Sequence, residues 1–500
     1  LAEALWDAGV PREVLAMVQL SERDLGRALV AHPDVDRVIL TGGYETAELF
    51  RSFRPDLPLL AETSGKNAII VTPSADFDLA AKDVAYSAFG HAGQKCSAAS
   101  LVIMVGSVAK SPRFRNQLID AVSSLKVGYP ADASTQMGPI IEPANGKLLE
   151  ALTTLGPGES WLIKPEQLDE TGKLWSPGVR TGVRRGSYFH LTEFFGPVLG
   201  IMTAETLEEA VAIQNQIEYG LTAGLHSLNP AELDYWMDNI QAGNLYINRG
   251  ITGAIVRRQP FGGWKKSAVG AGTKAGGPNY LIGLGDWVPA EPTAPGLPVR
   301  HPAVAKLLSA ARSAGHALSA AETASLEQAL HSDAAAWADE FGVARDVSGL
   351  SAERNVFRYL PVPVTIRLAE DAPLLSLLRV LGAGLLAGSA LTVSSSVELP
   401  AAVRAVLAEL SLPVTVEDDG GWLAKAARLG GGRVRLIAAD SAAAAKALAE
   451  ATGGRPDLAV YAHQVTPAGR IELLPFLHEQ AVSITAHRFG TPNHLSDGLI

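Results

Sequence analysis

Apolar residues along this chain follow two rhythms, short unbroken runs and helical stripes, and the two take turns. Val35-Asp-Arg-Val-Ile-Leu40 is a compact run suited to a buried parallel strand. Thr41-Gly-Gly-Tyr-Glu-Thr46 turns out of it into a helical stretch, Ala47–Phe53. The same alternation predicts a helix over Asp78–Phe89, a strand over Leu101-Val-Ile-Met-Val105, an amphipathic helix over Leu207–Ile217 and a strand over Asn244-Leu-Tyr-Ile-Asn248. Leu1 to Gly9 has helical spacing and a glycine stop. Further on, helices are predicted at Pro302–Ala314 and Ala321–Leu330. Strands are predicted at Val362–Arg367, Ala390–Ser394, Val414–Val416, Val434–Ile437 and Leu458–Tyr461. Strand and helix in alternation specify an α/β protein, with a second, Rossmann-like parallel sheet in the last two hundred or so residues.

One stretch imitates a membrane span. Leu374–Val393 is 20 residues long and mostly apolar, but holds Arg379 near its middle and glycines at 382, 384 and 388. A buried helix, a glycine turn and a core strand account for it better. Val288–Pro302 carries five prolines in 15 residues and predicts a stiff connection between domains. A length of 500 residues calls for two or three domains. With 47% apolar and 19% charged residues the chain is globular. A net charge of −10 without a dense basic tract argues against nucleic acid or anionic membrane as partners. The histidines lack metal-ligand spacing, so no metal site is expected. A single cysteine rules out an internal disulfide framework and fits a reducing, cytoplasmic setting.

That cysteine, Cys96, lies in Phe89-Gly-His-Ala-Gly-Gln-Lys-Cys-Ser-Ala98. Small neighbours let a carbon approach the sulfur and leave backbone N–H groups free for an oxyanion. A buried structural thiol is the alternative. Likewise, the Thr41-Gly42-Gly43 turn opens a helix and presents amides to a phosphate, or is an ordinary strand-to-helix loop. Asp418-Asp419 and His487-Arg488 read as solvated loop charges.

Four motifs in order resemble the aldehyde dehydrogenase superfamily: Glu62-Thr-Ser-Gly-Lys66, Gly93-Gln-Lys-Cys96 downstream of it, Glu193-Phe-Phe-Gly-Pro197 and Gln259-Pro-Phe-Gly-Gly263. Ser64 departs from the glycine usual in the first. The resemblance implies that Cys96 is the nucleophile and Glu62 the general base. It places Thr41, Gly42 and Gly43 at the dinucleotide pyrophosphate, Glu193 on the nicotinamide ribose and Phe195 beside the ring. Ser267 to Leu281 resembles the substrate loop of the Δ1-pyrroline-5-carboxylate dehydrogenases, which implies that amides of Gly276 and Gly277, with Ser97, hold an α-carboxylate. The implied reaction is NAD-dependent oxidation of L-glutamate γ-semialdehyde to glutamate through a Cys96 thioester, with NADP left open. Another semialdehyde, such as succinic semialdehyde, is the alternative substrate.

The implied division is 1–64, the second half of a cofactor domain; 65–265, catalytic; 266–287, substrate loop and module end; 288–302, linker; and 303–500, a non-catalytic domain. The last region resembles the extra C-terminal domain of long proline utilisation A proteins, which carry proline dehydrogenase and its FAD upstream on the same polypeptide and in which that domain covers the substrate path. The family comparison further implies that a first half-domain precedes Leu1, that the chain alone is nearly inactive, and that the protein is a homo-oligomer.

Overall fold

In the computed structural model, residues 1–290 and 296–500 are described; Pro292 and Pro295 of the expected linker lie outside the described residues. The apolar runs become strands close to where the rhythm puts them. Val38–Thr41 and Leu59–Glu62 pair in parallel, and Ala268–Val269 adds to them antiparallel. The helix Tyr44–Phe53 joins the first two.

A ten-stranded sheet forms the spine. Its order runs Arg345–Asp346, Glu353–Pro361, Leu477–Thr485, Asn244–Ile247, Thr222–His226, Asn67–Val71, Ala99–Val105, Val198–Ala204, Gly178–Thr181, Ser160–Ile163. The strands from Leu477–Thr485 to Gly178–Thr181 run parallel, with antiparallel strands at both edges. Asn67–Val71 and Thr222–His226 are buried along their whole length, as strands covered on both faces must be. Phe77–Phe89 covers one of those faces; Asp76 caps its start by accepting from the Leu79 N–H at 3.3 Å.

A second sheet of five parallel strands has the order Val414–Val416, Leu391–Ser395, Val364–Leu368, Gly432–Ile437, Leu458–Tyr461. The membrane-like stretch resolves into the helix Leu374–Leu386, a turn at Gly388 and the strand Leu391–Ser395. Its Arg379 is buried against Asp333, which accepts two hydrogen bonds at 2.7 Å. Among the described residues, no helix is long and apolar enough to cross a membrane.

Two expectations need correction. The region 303–500 does not keep its strands to itself: Glu353–Pro361 and Leu477–Thr485 lie in the ten-stranded sheet. Their pairing is antiparallel with each other over nine residues and parallel with Asn244–Ile247, partners too remote in sequence for local pattern to show. Asp419 is no free loop charge, because it accepts from the fully buried Arg367 at 2.5 Å, and Asp418 caps a helix by accepting from the Gly421 N–H at 2.6 Å.

Candidate active site

The turn that carries Cys96 is built by a run of left-handed residues. After Phe77–Phe89 ends, His91, Ala92 and Gly93 take φ of 54°, 54° and 68°. Left-handed backbone costs an ordinary residue roughly 1 kcal/mol or more, so the surroundings hold this turn in place. Gly93 is required twice over, since a Cβ there would also lie 2.2 Å from the Gly196 carbonyl oxygen. Gln94 ties the turn outward: its Nε2 donates to the Phe195 carbonyl at 3.2 Å and its Oε1 accepts from the Ile141 N–H at 2.9 Å.

Asn67, the first residue of a wholly buried strand, clamps the turn from inside. Its Nδ2 donates to the carbonyls of Cys96 (2.7 Å) and Ala98 (3.0 Å), and its Oδ1 accepts from the Thr222 N–H at 3.0 Å. Thr222 in turn donates through Oγ1 to the Ser97 carbonyl at 3.3 Å. The hold on the Cys96 carbonyl sets the direction of the Ser97 N–H, and the Lys95 carbonyl, whose peptide carries the Cys96 N–H, accepts from the Ala98 N–H at 2.9 Å; both the Ser97 and the Cys96 amides act on the sulfur. Burial raises the thiol, those two amides oppose the rise, and the Glu62 and Glu193 carboxylates add to it. The resting group is therefore a thiol.

Gly65 is where three motifs meet. A Cβ on it would stand 2.8 Å from the Cys96 carbonyl oxygen, and its N–H donates to Glu193 Oε1 at 3.0 Å. Burial raises Glu193 as well, against the Gly65 amide and Ser64. Lys66, quoted above only as a motif letter, is buried with its ammonium over the faces of Phe189 (4.2 Å) and Phe194 (5.0 Å). Phe195 is 40% exposed and left-handed, φ 56°, which turns its ring outward beside Glu193.

Glu62 ends the strand Leu59–Glu62, and its Oε2 accepts from the Gly263 N–H at 3.1 Å. Burial pushes its carboxyl up to about 8, with Lys274 and the Gly263 amide pulling the other way. The Glu62 carbonyl accepts from the Gly42 N–H at 3.2 Å, so Glu62 and the Thr41-Gly42-Gly43 turn share one anchor. Gly42 is exposed, and the helix beginning after Gly43 has no side-chain cap. The Tyr44 N–H at the helix start donates to Ser64 Oγ at 3.3 Å, so the turn offers few free amides; the start of a ten-residue helix and an exposed ring at Phe195 suit a dinucleotide.

The glycine pair behaves less simply. Gly276, φ 72°, packs on Val256 and its carbonyl accepts from the Arg257 N–H at 3.2 Å. The Gly277 N–H is engaged within the chain, donating to the Lys274 carbonyl at 3.1 Å. The expectation of two outward amides therefore fails at Gly277, because a tight turn consumes its donor. Asn67, Asn244 and Lys274 were not singled out from sequence. A polar amide opening an otherwise apolar strand, Asn67-Ala-Ile-Ile-Val71 and Asn244-Leu-Tyr-Ile247, is the signal that marks two of them.

Residues 1–282 match the model of the aldehyde dehydrogenase family. The 1-pyrroline-5-carboxylate dehydrogenase of Geobacillus sp. (strain WCH70) is 40% identical over 291 residues, 56% of this chain and 56% of that protein. That of Bacillus subtilis (strain 168) is 36% identical over 289 residues, again 56% of this chain, and 55% of its own length. The chain thus spans about half the length of the curated relatives it matches. Among solved structures, proline utilization A from Corynebacterium freiburgense superposes with a TM-score of 0.81 at 45% identity, covering 98% of this chain and 46% of that one. The Thermus 1-pyrroline-5-carboxylate dehydrogenase with bound NAD gives a TM-score of 0.52 at 34% identity, over 56% of this chain and 55% of that one. The fold is the aldehyde dehydrogenase fold, and with more than half its length matched the chain belongs to the aldehyde dehydrogenase family.

Proposed function

We propose that this chain supplies the nucleophile, the base and part of the dinucleotide site of an NAD-dependent dehydrogenase that oxidises L-glutamate γ-semialdehyde, the open form of Δ1-pyrroline-5-carboxylate, to L-glutamate in proline catabolism. The observation that carries the reading is the meeting at Gly65 of the Glu62, Cys96 and Glu193 loops. The named relatives supply the substrate.

In this reading the Cys96 thiol gives its proton to solvent and its sulfur bonds to the aldehyde carbon, whose C=O π bond opens to give a hemithioacetal. The oxygen that becomes negative meets the N–H groups of Cys96 and Ser97; Asn67 fixes the Ser97 amide beforehand through the Cys96 carbonyl, and the Ala98-to-Lys95 hydrogen bond holds the peptide that carries the Cys96 amide. Glu193 and Phe195 border the nicotinamide, and Thr41, Gly42 and Gly43 meet the pyrophosphate. NAD held there would supply the hydride acceptor, and the carbon bonded to Cys96 would then be left as an acyl thioester. Glu62 takes a proton from water as that water attacks the thioester, releasing the acid and restoring the thiol. Ser97 and Gly276 are the substrate-carboxylate candidates, and Gly277 joins them only if its turn opens.

Cofactor half-domain (1–64), catalytic body (65–265), substrate loop (266–287) and linker (288–302) keep their assigned parts in this reading. Residues 303–500 are assigned a supporting role without a nucleophile or base of their own, and their buried arginines Arg367, Arg379 and Arg435 are consumed in ion pairs. Similarity to proline utilization A over nearly the whole chain supports a place in a bifunctional polypeptide of that kind, acting in the cytoplasm.

The test is NAD reduction with Δ1-pyrroline-5-carboxylate, followed by absorbance, in the longest natural polypeptide that contains this chain, beside its Cys96→Ala variant. Activity in the first and silence in the second are expected. Activity that survives Cys96→Ala, or a folded protein silent on this substrate and active on succinic semialdehyde, overturns the reading.

A further inference from the structure

Glu62 is not alone on its turn. A Cβ added to Gly262 would lie 2.8 Å from Glu62 Oε1 and 3.1 Å from Lys274 Cγ, so the glycine has the carboxylate on one side and the lysine stem on the other. The Lys274 side chain is buried, at 3% exposure. Its Nζ donates to Asn244 Oδ1 at 2.8 Å and to the Gly262 carbonyl, both neutral acceptors. Among the described residues, no carboxylate is in direct ion-pair contact with it. A buried ammonium solvated by neutral dipoles keeps most of its field for the nearest titratable group, and here that group is Glu62.

What fixes Lys274 comes from outside the segment that matches the family. Its backbone N–H donates to Glu479 Oε2 at 2.6 Å, and Glu479 stands on Leu477–Thr485, the strand inserted into the ten-stranded sheet. Glu479 Oε1 accepts from Asn279 Nδ2 at 2.7 Å, and the same Nδ2 donates to Tyr359 Oη at 2.8 Å. Tyr359 donates to Glu340 at 2.7 Å, and Arg470 closes the chain by donating to Asn279 Oδ1 at 3.0 Å and to Glu340. A continuous line of polar groups, buried as far as Tyr359 and part-exposed at Glu340 and Arg470, thus leads from the turn holding the base into the C-terminal region.

We propose that Lys274 is a positioning residue for the base Glu62, and that Glu479 sets Lys274, so that the strand Leu477–Thr485 tunes the proton chemistry of the active site. The proposal rests on the reading of Glu62 as the base. Charged groups facing the pair are few. Lys274 lowers Glu62 and Glu479 raises it; Arg433 faces both Glu479 and His478; Cys96 lies in the field of Glu62. The two neighbours of Glu62 therefore act in opposite senses. Removing the lysine charge must drive the proton further onto Glu62, and removing the Glu479 charge must drive it off.

Cys96 makes this measurable without turnover, because it is the sole cysteine and its thiolate feels Glu62. The experiment is the rate of Cys96 alkylation by iodoacetamide as a function of pH, in the full chain. The inflection lost in Glu62→Gln is the one to follow. Lys274→Met is expected to move it up by about one pH unit or more, Glu479→Gln to move it down, and Lys274→Arg to leave it near the parent. A role in folding alone does not produce shifts of opposite sign. If Lys274→Met does not fold, the downward shift in Glu479→Gln decides by itself. An inflection lost in Glu62→Gln yet unmoved in the folded neighbours overturns this proposal and leaves the functional reading standing. A profile identical in the parent and Glu62→Gln removes Glu62 from the field of Cys96 and overturns both.

Discussion

Glu62 and Glu472 are both buried carboxylates in parallel α/β surroundings, and they are treated in opposite ways. Glu472 is fully buried beside the five-stranded sheet, where Arg435 reaches it at 3.0 Å, with His463 facing it at 3.3 Å. Burial opposes its ionisation, but Arg435, His463 and Arg379 outweigh burial and hold the carboxyl far below the usual range. Asp333 has a single close cation, Arg379, which donates to it twice at 2.7 Å, and there burial wins and pushes the carboxyl up to about 6. Around Cys96, too, carboxylates meet amides and a lysine at one remove, and burial wins. A buried carboxylate ringed by several cations stays ionised and holds structure; one with fewer keeps a proton in reserve nearer the working range of pH.

The comparison breaks most visibly at the sulfur. Cys96→Ala is expected to lower dehydrogenase turnover by about 10⁴-fold or more while leaving unfolding curves nearly unchanged. The next effect belongs to the other region. Glu472→Gln strands Arg435 without a counter-charge and is expected to cost about 3–5 kcal/mol in urea denaturation, most of it recovered in the double variant Arg435→Met/Glu472→Leu. A Glu472→Gln protein as stable as the parent would erase the contrast.

The two carboxylates also give opposite pH slopes. The folded-state pKa of Glu62 is raised, so the folded protein binds the extra proton between the unfolded value near 4.5 and about 8, and stability falls as pH rises through that window. Glu472 is depressed, so its contribution is present above the unfolded value and is lost as pH falls below it. Denaturant midpoints measured from acid to mildly alkaline pH are expected to show Glu62→Gln relieving the alkaline decline by about 2 kcal/mol. The smallest effect tests ordinary helix chemistry: Ser319 and Glu322 form a reciprocal cap on Ala320–Ala336, and Ser319→Ala is expected to cost about 1 kcal/mol.

Much of this was legible in the sequence because it is local. Apolar runs located all five strands of the second sheet and, in the ten-stranded sheet, Ala99–Val105 and Asn244–Ile247, and the order of motifs drew Glu62, Cys96 and Glu193 into one expectation. The rest depends on partners far away along the chain. Glu353-Arg-Asn-Val-Phe-Arg-Tyr-Leu-Pro361 mixes charged and apolar residues without clean alternation, since its polar side chains meet distant groups, as when Arg358 donates to Gln480 at 2.8 Å. Lys274 reads as a surface lysine in a glycine loop until the fold closes over it. The left-handed run at His91 and Ala92 has no compositional mark, because neither residue is the glycine such backbone favours.

The insertion of Leu477–Thr485 beside Asn244–Ile247 has a consequence for the timing of biosynthesis. Gln480 donates to the Ala242 carbonyl at 2.9 Å across 238 positions of sequence. On a ribosome, the sheet edge at Asn244–Ile247 therefore emerges long before the strand that seals it, by on the order of 10 to 50 s at ordinary elongation speeds. Throughout that interval the newborn polypeptide exposes an open, largely apolar strand edge, a natural point of engagement for chaperones.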